Sequence, residues 1–303
     1  MRVLLLFPMA DGQTGSAIEY AFGKLGHQAY VIDAKLEPGK SFGAACKFKP
    51  DLVFCSRTYQ LTDEVAKIKD RLKDATICMW NVDTRNSVQE WDHLFPLIKL
   101  CDYYFVVASN LIPEWRKINP NTFWLPQGIQ NEVYDKPREI TNGDRKKYEC
   151  DVSFAGGCTD YHKWRIPYMV AIEKMGLNFK IWGCRKNPKV YNEEHNKMAY
   201  LSKINFAYSG WPQNGKYISV RNFKILGAGG FLLEFGQDGI FDVMPYDVFH
   251  SYEDIDDLKW HIEFYLEFDR VRKEVAETGY KWVHSQATYT HRVQRALEIM
   301  RLK

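Results

Sequence analysis

The sequence predicts an α/β protein made of two domains, each containing a parallel sheet. Its first half alternates apolar strands with amphipathic helices, and the same alternation restarts after a polar stretch near residue 140. Such alternation predicts a parallel sheet with helices on both faces. A chain of 303 residues is also long enough to fold as two domains. We therefore expect two Rossmann-like domains that face each other across a cleft.

The N-terminal half, residues 1–135, contains six apolar segments that predict strands. Helices are predicted between them at 16–26, 62–73 and 87–99, where the apolar residues recur at helical spacing. Residues 136–149 are polar and contain Pro, Asn and Gly, which predicts a linker. The six strand segments are RVLLLFP, QAYVID, PDLVFCS, ATICMWN, YYFVVAS and TFWLPQGI.

Residues 150–284 repeat this organisation and predict a second domain. A helix is predicted to run to Met175. Pro167 would lie in its first turn, where proline is tolerated. Further helices are predicted at 192–203 and 219–228, and long amphipathic helices follow from residue 254 to the end. The predicted strands are CDVSFAGG, NFKIWGC, INFAYSG and GFLLEF.

The charge of the chain does not indicate a nucleic-acid-binding protein. The formal net charge is +3, with −1 in residues 1–135 and +4 in the remainder. Any preference for a phosphate group is therefore expected in the C-terminal half, and it should be mild.

The cysteine pattern and the N-terminus predict a cytoplasmic protein without a membrane span. The seven cysteines are scattered, odd in number and without C-x-x-C spacing, which argues against a disulfide framework and a zinc ribbon. We expect them to be buried free thiols. The apolar start MRVLLLFPM is too short to cross a membrane, and Asp11 and Gly12 follow it instead of a cleavage site.

The segment SVRNFKILGAGGFLLEF, residues 219–235, places two cations on a largely apolar helix. Arg221 and Lys224 share one face of that helix, which ends at Gly229 and Gly230. A buried cation needs a partner, because burial without one is costly. The sequence leaves open whether that partner is a protein carboxylate or the phosphate of a ligand.

Several segments in order resemble the CgeB-like group of glycosyltransferases, which is related to glycosyltransferase group 1. The resemblance covers about residues 150–295 well and is looser in the N-terminal half, and the order and spacing of its motifs make it fairly specific. Its C-terminal segments are DVSFAGG with Arg165 downstream, RNFKILGAGGFLL, DLKWHIEFYLEFDRVRKEVAETGYKWV and TYTHR. Its N-terminal segments are GKLGHQAYVID, MWNVDTR and WLPQGIQNEVY.

The resemblance implies the GT-B fold and a nucleotide-sugar as co-substrate, without a tightly bound cofactor. The C-terminal domain would bind the donor, the N-terminal domain would hold the acceptor, and a last helix within 285–303 would cross back onto the N-terminal domain. Cationic side chains and backbone N–H groups would compensate the departing diphosphate in place of a metal. The implied donor-binding residues are Gly156, Gly157, Lys163, Arg165, Lys216, Arg221, Lys224, Gly229 and Gly230.

The sequence departs from group 1 at two of these positions. Lys224 and Lys216 stand where retaining members usually carry glutamates that contact the ribose and the sugar. The two lysines could form a stronger phosphate site, change the choice of donor, or accompany a loss of activity.

Two acidic residues are candidates for a catalytic base. Asp83 follows a predicted strand, and Asp11 opens the first strand-to-helix turn, where Gly12 and Gly15 are candidate acceptor-binding residues. An inverting transfer needs such a base, whereas a retaining transfer does not, and the sequence does not decide between them. The acidic DID motif at 254–256 is interpreted as a helix start and not as a metal site.

These observations predict a metal-independent glycosyltransferase. The acceptor could be a glycan, a small molecule, a protein or a modified DNA base, although the near-neutral N-terminal half weighs mildly against duplex DNA. One alternative is a non-catalytic nucleotide- or sugar-binding relative. A nicotinamide-dependent oxidoreductase is another, weakened because the first turn lacks the G-x-G-x-x-G pattern.

Overall fold

The computed structural model describes residues 1–10, 12, 14–184, 187–209 and 215–302, with the backbone only for Asp160 and Tyr161. The chain divides into two compact units. The first contains Met1–Gln127 together with Tyr289–Lys303, and the second contains Gly128–Thr288. Each unit holds one sheet in which all pairs of neighbouring strands are parallel, which confirms the predicted fold class.

The first unit has a six-stranded sheet of order β2-β1-β3-β4-β5-β6. Its central strands are continuous apolar runs, as expected for a parallel sheet buried on both faces. The six strands are β1 (Arg2–Phe7), β2 (Gln28–Asp33), β3 (Leu52–Cys55), β4 (Thr76–Asn81), β5 (Tyr103–Val106) and β6 (Thr122–Trp124).

Five helices connect these strands, and the last helix of the chain joins the same unit by packing on α1. Tyr289, Val293 and Leu297 of that last helix contribute to the core on one face of the sheet. The helices are α1 (Gly15–Lys24), α2 (Ser41–Phe48), α3 (Thr62–Arg71), α4 (Phe95–Leu100), α5 (Ile112–Trp115) and α12 (Tyr289–Met300).

The second unit has a five-stranded sheet of order β11-β10-β9-β7-β8. Its first strand, β7, lies inside the sheet, because β7 pairs with both β8 and β9. The strand order therefore reverses between β7 and β9. The strands are β7 (Cys150–Ala155), β8 (Phe179–Trp182), β9 (Ser202–Ala207), β10 (Leu232–Phe235) and β11 (His250–Tyr252).

The helices of the second unit include one inside the predicted linker. Residues Asn142–Tyr148 form a helix that Thr141 caps and that packs on α8, so much of 136–149 is folded structure of this unit. The polar sequence hid this helix, since only Tyr148 is buried. The helices are α6 (Asn142–Tyr148), α7 (Ile166–Lys174), α8 (Asn192–Leu201), α9 (Val220–Gly227), α10 (Ile255–Glu267) and α11 (Asp269–Gln286).

The cysteines differ from the prediction in one respect. Cys158 and Cys184 form a disulfide with a Cα–Cα distance of 5.4 Å, whereas the other five cysteines are free. The two partners are 26 residues apart, and the loops after β7 and β8 bring them together. No helix in the part of the chain that the structure describes is long and apolar enough to cross a membrane.

Candidate functional site

The candidate site of the second unit lies where the strand order reverses. Loops that follow neighbouring parallel strands diverge at such a point, and the crevice between them is where open α/β sheets bind ligands. Here the loops follow β7 and β9, and α9 begins beside them with Ser219 as its N-cap. Three charged residues, Arg165, Arg221 and Glu234, meet at this edge.

Arg221 bridges the ends of the two strands. Its Nη1 donates to the carbonyl oxygen of Ala155 at 3.1 Å, and its Nη2 donates to that of Tyr208 at 3.2 Å. Its guanidinium carbon lies 5.3 Å from the ring centroid of Phe154. Among the described residues, Arg221 forms no direct ion pair, and its Nε is buried without a partner. The partner of this cation is thus backbone carbonyl oxygen and not a protein carboxylate.

Gly156 makes room for a second guanidinium beside the first. A Cβ at this position would lie 2.6 Å from Nη1 of Arg221 and 3.1 Å from Nη1 of Arg165, so any larger residue would displace the arginines. Arg165 is 2% exposed and donates to the carbonyl oxygen of Gly157 at 3.1 Å. Gly156 therefore leaves space for the two guanidinium groups, and the carbonyl of Gly157 accepts a hydrogen bond from one of them.

The charge of Glu234 acts on both arginines, and this residue is linked to Arg221 through one peptide group. Its Oε1 accepts from the backbone N–H of Ser209 at 2.8 Å, while the carbonyl of the same peptide unit, that of Tyr208, accepts from Arg221. Its Oε2 accepts from Asn222, the neighbour of Arg221 on α9. Glu234 is completely buried.

Lys224, one turn after Arg221 on α9, lies near the buried His195 of α8. The Lys224 Nζ lies 4.5 Å from the ring centroid of Tyr134, whose edge packs on His195 with a centroid distance of 5.7 Å. His195 is 5% exposed, and neither of its ring nitrogens has a partner among the described residues. Both side chains thus lie in an environment poor in hydrogen-bonding groups.

Burial shifts the pKa of each of these five groups in the direction that favours its neutral form. It lowers the pKa of Lys224 to about 8 and that of Arg165, which also feels Arg221, to about 9. It lowers the pKa of Arg221 and raises that of Glu234. Burial and the nearby charges of Lys224 and Arg221 lower the pKa of His195 to about 3. Each charged form would therefore be stabilised by an ionic partner.

Four predicted donor-binding residues lie apart from this cluster. Lys163 is exposed, with its Nζ 5.2 Å from the ring centroid of its neighbour Trp164. Lys216 pairs with Asp242 at 3.2 Å. Gly229 and Gly230 follow the last turn of α9 and precede β10, so they lie at the opposite end of both elements from Arg221.

The glycines after α9 have a structural role where the helix turns into β10. Gly229 has a φ of +76°, which permits the reversal from helix to strand. A Cβ on Gly230 would lie 2.7 Å from the carbonyl oxygen of Ala199, because α8 passes close by. A role of these glycines at the donor stays a prediction, and the structure places them at the opposite end of α9 from Arg221.

The candidate site of the first unit centres on Asp83, after β4. Its carboxylate pairs with Arg57, which follows β3, and the two side chains are 48% and 42% exposed. The guanidinium carbons of Arg57 and Arg85 each lie 5.4 Å from the ring centroid of Trp91. Asp83 also lines a small pocket together with Asn81, Thr84, Trp91, Val106, Ala108, Leu111 and Trp115.

The loop between β1 and α1 and the start of that helix contain the other predicted site residues of the first unit. Asp11 lies outside the described residues, Gly12 is exposed in a turn, and Gly15 begins α1. A Cβ on Gly15 would lie 2.5 Å from the carbonyl oxygen of Pro8, so this glycine allows α1 to pack on the end of β1. Asp254 of the DID motif caps α10 by accepting from the N–H groups of Asp256 and Asp257.

Sequence reasoning missed Glu234 and His195. Glu234 interrupts the apolar strand segment GFLLEF, and a charge at the carboxyl end of a buried strand is a usable signal. His195 carries no such signal, because the residues around it in the first half of α8, NEEHNK, are polar, and it packs on the distant Tyr134.

The comparisons with known proteins agree with this geometry. Residues 167–298 match the family model described as glycosyl transferase-like. This segment is thus similar to glycosyltransferases, and the chain has the GT-B fold. The match extends from the first turn of α7 into α12, and it includes Arg221, Lys224 and Glu234. The CgeB-like subgroup stays a prediction. No curated protein matches the chain.

Solved glycosyltransferases share the GT-B fold over the whole chain at low identity. HepE of Anabaena, solved with UDP and glucose, is 11% identical and covers 99% of each chain with a TM-score of 0.68. Sucrose-phosphate synthase of Thermosynechococcus elongatus is 10% identical, covers 99% of this chain and 98% of its own, and has a TM-score of 0.68. A DNA-modifying β-glucosyltransferase is 11% identical, covers 100% of both chains and has a TM-score of 0.66.

Proposed function

We propose that this glycosyltransferase uses a nucleotide-sugar whose diphosphate binds at Arg165, Arg221 and Lys224, without a metal ion. The observation that carries the proposal is the arginine pair at the reversal point of the second sheet. Both guanidinium groups are held by backbone carbonyls of the β7 and β9 loops, and neither forms a direct ion pair with a described carboxylate.

The charge of the cluster matches a diphosphate. Among the described side chains, Arg165, Arg221 and Lys224 are balanced only by Glu234, which leaves two positive charges uncompensated. Each phosphate of a nucleotide-sugar is ionised at neutral pH, so the bound diphosphate supplies the missing charge. Guanidinium groups held in position also stabilise the charge that develops on the leaving nucleoside diphosphate.

The first unit supplies the acceptor side in this proposal. Asp83 is a carboxylate at the carboxyl edge of the first sheet, where an acceptor hydroxyl would lie, and it is the candidate base if transfer inverts the sugar. Arg57 orients the carboxylate by pairing with it. The acceptor classes left open by the sequence, including a glycan and a modified DNA base, all present a hydroxyl group to such a base.

The test is a panel of donors. The purified protein is incubated with UDP-glucose, UDP-N-acetylglucosamine, GDP-mannose and dTDP-glucose, and nucleoside diphosphate release is measured with and without EDTA. We expect release from one donor class at a rate that EDTA does not change. Binding of UDP, GDP and dTDP is measured in parallel by calorimetry.

Each outcome has a definite meaning. Release that EDTA abolishes and manganese restores would overturn the metal-independent part of the proposal. Binding of a nucleoside diphosphate without release of sugar would show a non-catalytic relative. Absence of binding to every member of the panel would refute the donor site itself.

A further inference from the structure

The buried carboxylate of Glu234 is unexpected beside a donor site, because its negative charge would not help to bind a diphosphate. A site for diphosphate needs cations, yet the second unit places a completely buried glutamate behind its arginine pair. Burying a carboxylate is costly unless it is hydrogen-bonded and compensated, so this residue requires an explanation.

Glu234 is connected to Arg221 by two routes. The first runs through the peptide between Tyr208 and Ser209, whose N–H donates to Glu234 at 2.8 Å and whose carbonyl accepts from Arg221 at 3.2 Å. The second runs through Asn222, which donates to Glu234 and adjoins Arg221 on α9. A peptide polarised at both ends strengthens both bonds, so the carboxylate holds the guanidinium in place.

The same negative charge opposes a bound diphosphate. It lies one peptide unit behind the guanidinium that would contact the phosphates, within protein interior where charges are weakly screened. A cation that already has an internal counter-charge attracts an external anion less strongly. The arrangement therefore combines a well-oriented arginine with a moderated attraction for phosphate.

We propose that Glu234 is a positioning residue that orients Arg221 and also weakens the hold of the arginine pair on the nucleoside diphosphate product. This inference rests on the proposed function. For a transferase of this kind, the product must leave before the next donor binds, and a slow departure limits turnover. Glu234 would accordingly set the rate of product release.

Glu234→Gln separates the charge from the hydrogen bonds. The Gln Oε1 can still accept from the N–H of Ser209, and its amide can donate to Asn222 Oδ1, which has no partner among the described residues. Only an amide flip of Asn222 is required. The variant thus keeps the geometry of Arg221 and removes the negative charge.

The experiment measures the affinity and the dissociation rate of UDP, GDP and dTDP by calorimetry and surface plasmon resonance. We expect Glu234→Gln to bind the preferred nucleoside diphosphate about tenfold more tightly, which is about 1.4 kcal/mol. Most of this change should appear as slower dissociation. The control Glu263→Gln changes an exposed carboxylate on α10 of the same unit and should behave as wild type.

A merely structural role predicts the opposite sign, because a loosened Arg221 would bind phosphate less well. If the wild type binds one of these nucleotides and Glu234→Gln binds it equally or more weakly, the inference is overturned. A smaller ligand-induced rise in melting temperature for the variant than for the wild type would overturn it as well. If the wild type binds none of the three, the proposed function fails, and this inference fails with it.

Discussion

The two units place charge at the carboxyl edges of their sheets in different ways. In the first unit, the Asp83 and Arg57 side chains pair while remaining 48% and 42% exposed. In the second unit, Glu234 is 0% exposed and Arg165 is 2% exposed. An exposed ion pair costs little to maintain, whereas each buried ion carries a penalty of several kcal/mol, on the order of 3–5 kcal/mol when its partner is removed.

The difference shows which site can be located from charge burial alone. A fold retains buried charges when they serve one another or a ligand, so the buried charges of the second unit support the proposed anion site. The exposed pair of the first unit carries no such information, and its assignment depends on its position after β4. Four variants test this contrast.

The largest expected effect is on the first unit. Asp83→Asn should reduce sugar release at least about a hundredfold if Asp83 is a general base, since such groups contribute about 10²–10⁴. Affinity for the nucleoside diphosphate should not change, because the donor is assigned to the second unit. Donor turnover and calorimetric titration check this. Asp70→Asn, which removes another exposed and ion-paired carboxylate of the same unit, should have no effect.

The outcomes for Asp83→Asn sharpen the comparison. Equal losses of turnover and nucleotide affinity would assign Asp83 to the donor. Turnover at the wild-type rate would give it a structural role.

Arg221→Gln should weaken binding of the nucleoside diphosphate roughly ten- to a hundredfold, the value of a charge-assisted hydrogen bond of about 1.5–3 kcal/mol. The melting temperature should change little, because the loss of two bonds to carbonyl groups is offset when a buried cation without a direct ion pair among the described residues is removed. The exposed Arg270, paired with Glu274 on α11, provides the control Arg270→Gln. An unchanged dissociation constant together with a clearly lower melting temperature would contradict a phosphate site.

Lys224 should give the site a dependence on alkaline pH. Burial lowers its pKa to about 8, so its ammonium group loses the proton as the pH rises from 7 to 9. Nucleotide affinity should therefore fall over this range, by roughly up to tenfold. Lys224→Met should bind more weakly at pH 7 and show a smaller decline, which Arg165 with its pKa of about 9 would still cause. The partly exposed Lys259→Met should keep the wild-type profile. An identical profile in Lys224→Met would exclude Lys224 from the diphosphate.

The smallest expected effect is on stability in acid. Burial and the charges of Lys224 and Arg221 lower the pKa of His195 to about 3, whereas an unfolded chain protonates near 6.5. The unfolded state thus binds more protons, and stability is lost as the pH falls below about 6.5, by about 1.4 kcal/mol at pH 5.5.

His195→Leu should remove that part of the acid sensitivity, since neither ring nitrogen has a described partner to lose. Melting temperatures of both proteins at pH 7.5 and 5.5 provide the measurement. An equal drop in the two proteins would show that His195 is accessible to protons in the folded state.

Much of the fold could be predicted because parallel strands buried on both faces are continuous apolar runs. The predictions for β1 through β10 came from such runs. The elements that were missed lack this signal. Strand β11 has only three residues, α2 is short, and α6 is polar except for Tyr148.

The candidate site was predictable only where its residues lie in segments next to predicted strands or in segments that carry the family resemblance. Arg221, Arg165 and Gly156 come from segments next to predicted strands, and the structure brings them together. Glu234 and Cys158–Cys184 depend on contacts between distant loops, which spacing in the chain does not reveal. Gly229 shows the converse, since it lies at the opposite end of α9 from Arg221 although the two are close in sequence.

The disulfide has a consequence for the energetics of recognition. Cys158 follows Gly157, and Cys184 follows Gly183, whose Cβ position would lie 3.2 Å from the carbonyl oxygen of Gly156. The loops after β7 and β8 are therefore joined covalently before any ligand arrives. A ligand that meets loops already in place spends less of its interaction energy on ordering them. The entropic cost of ordering these loops is thus met once, when the disulfide forms, and not each time a ligand binds.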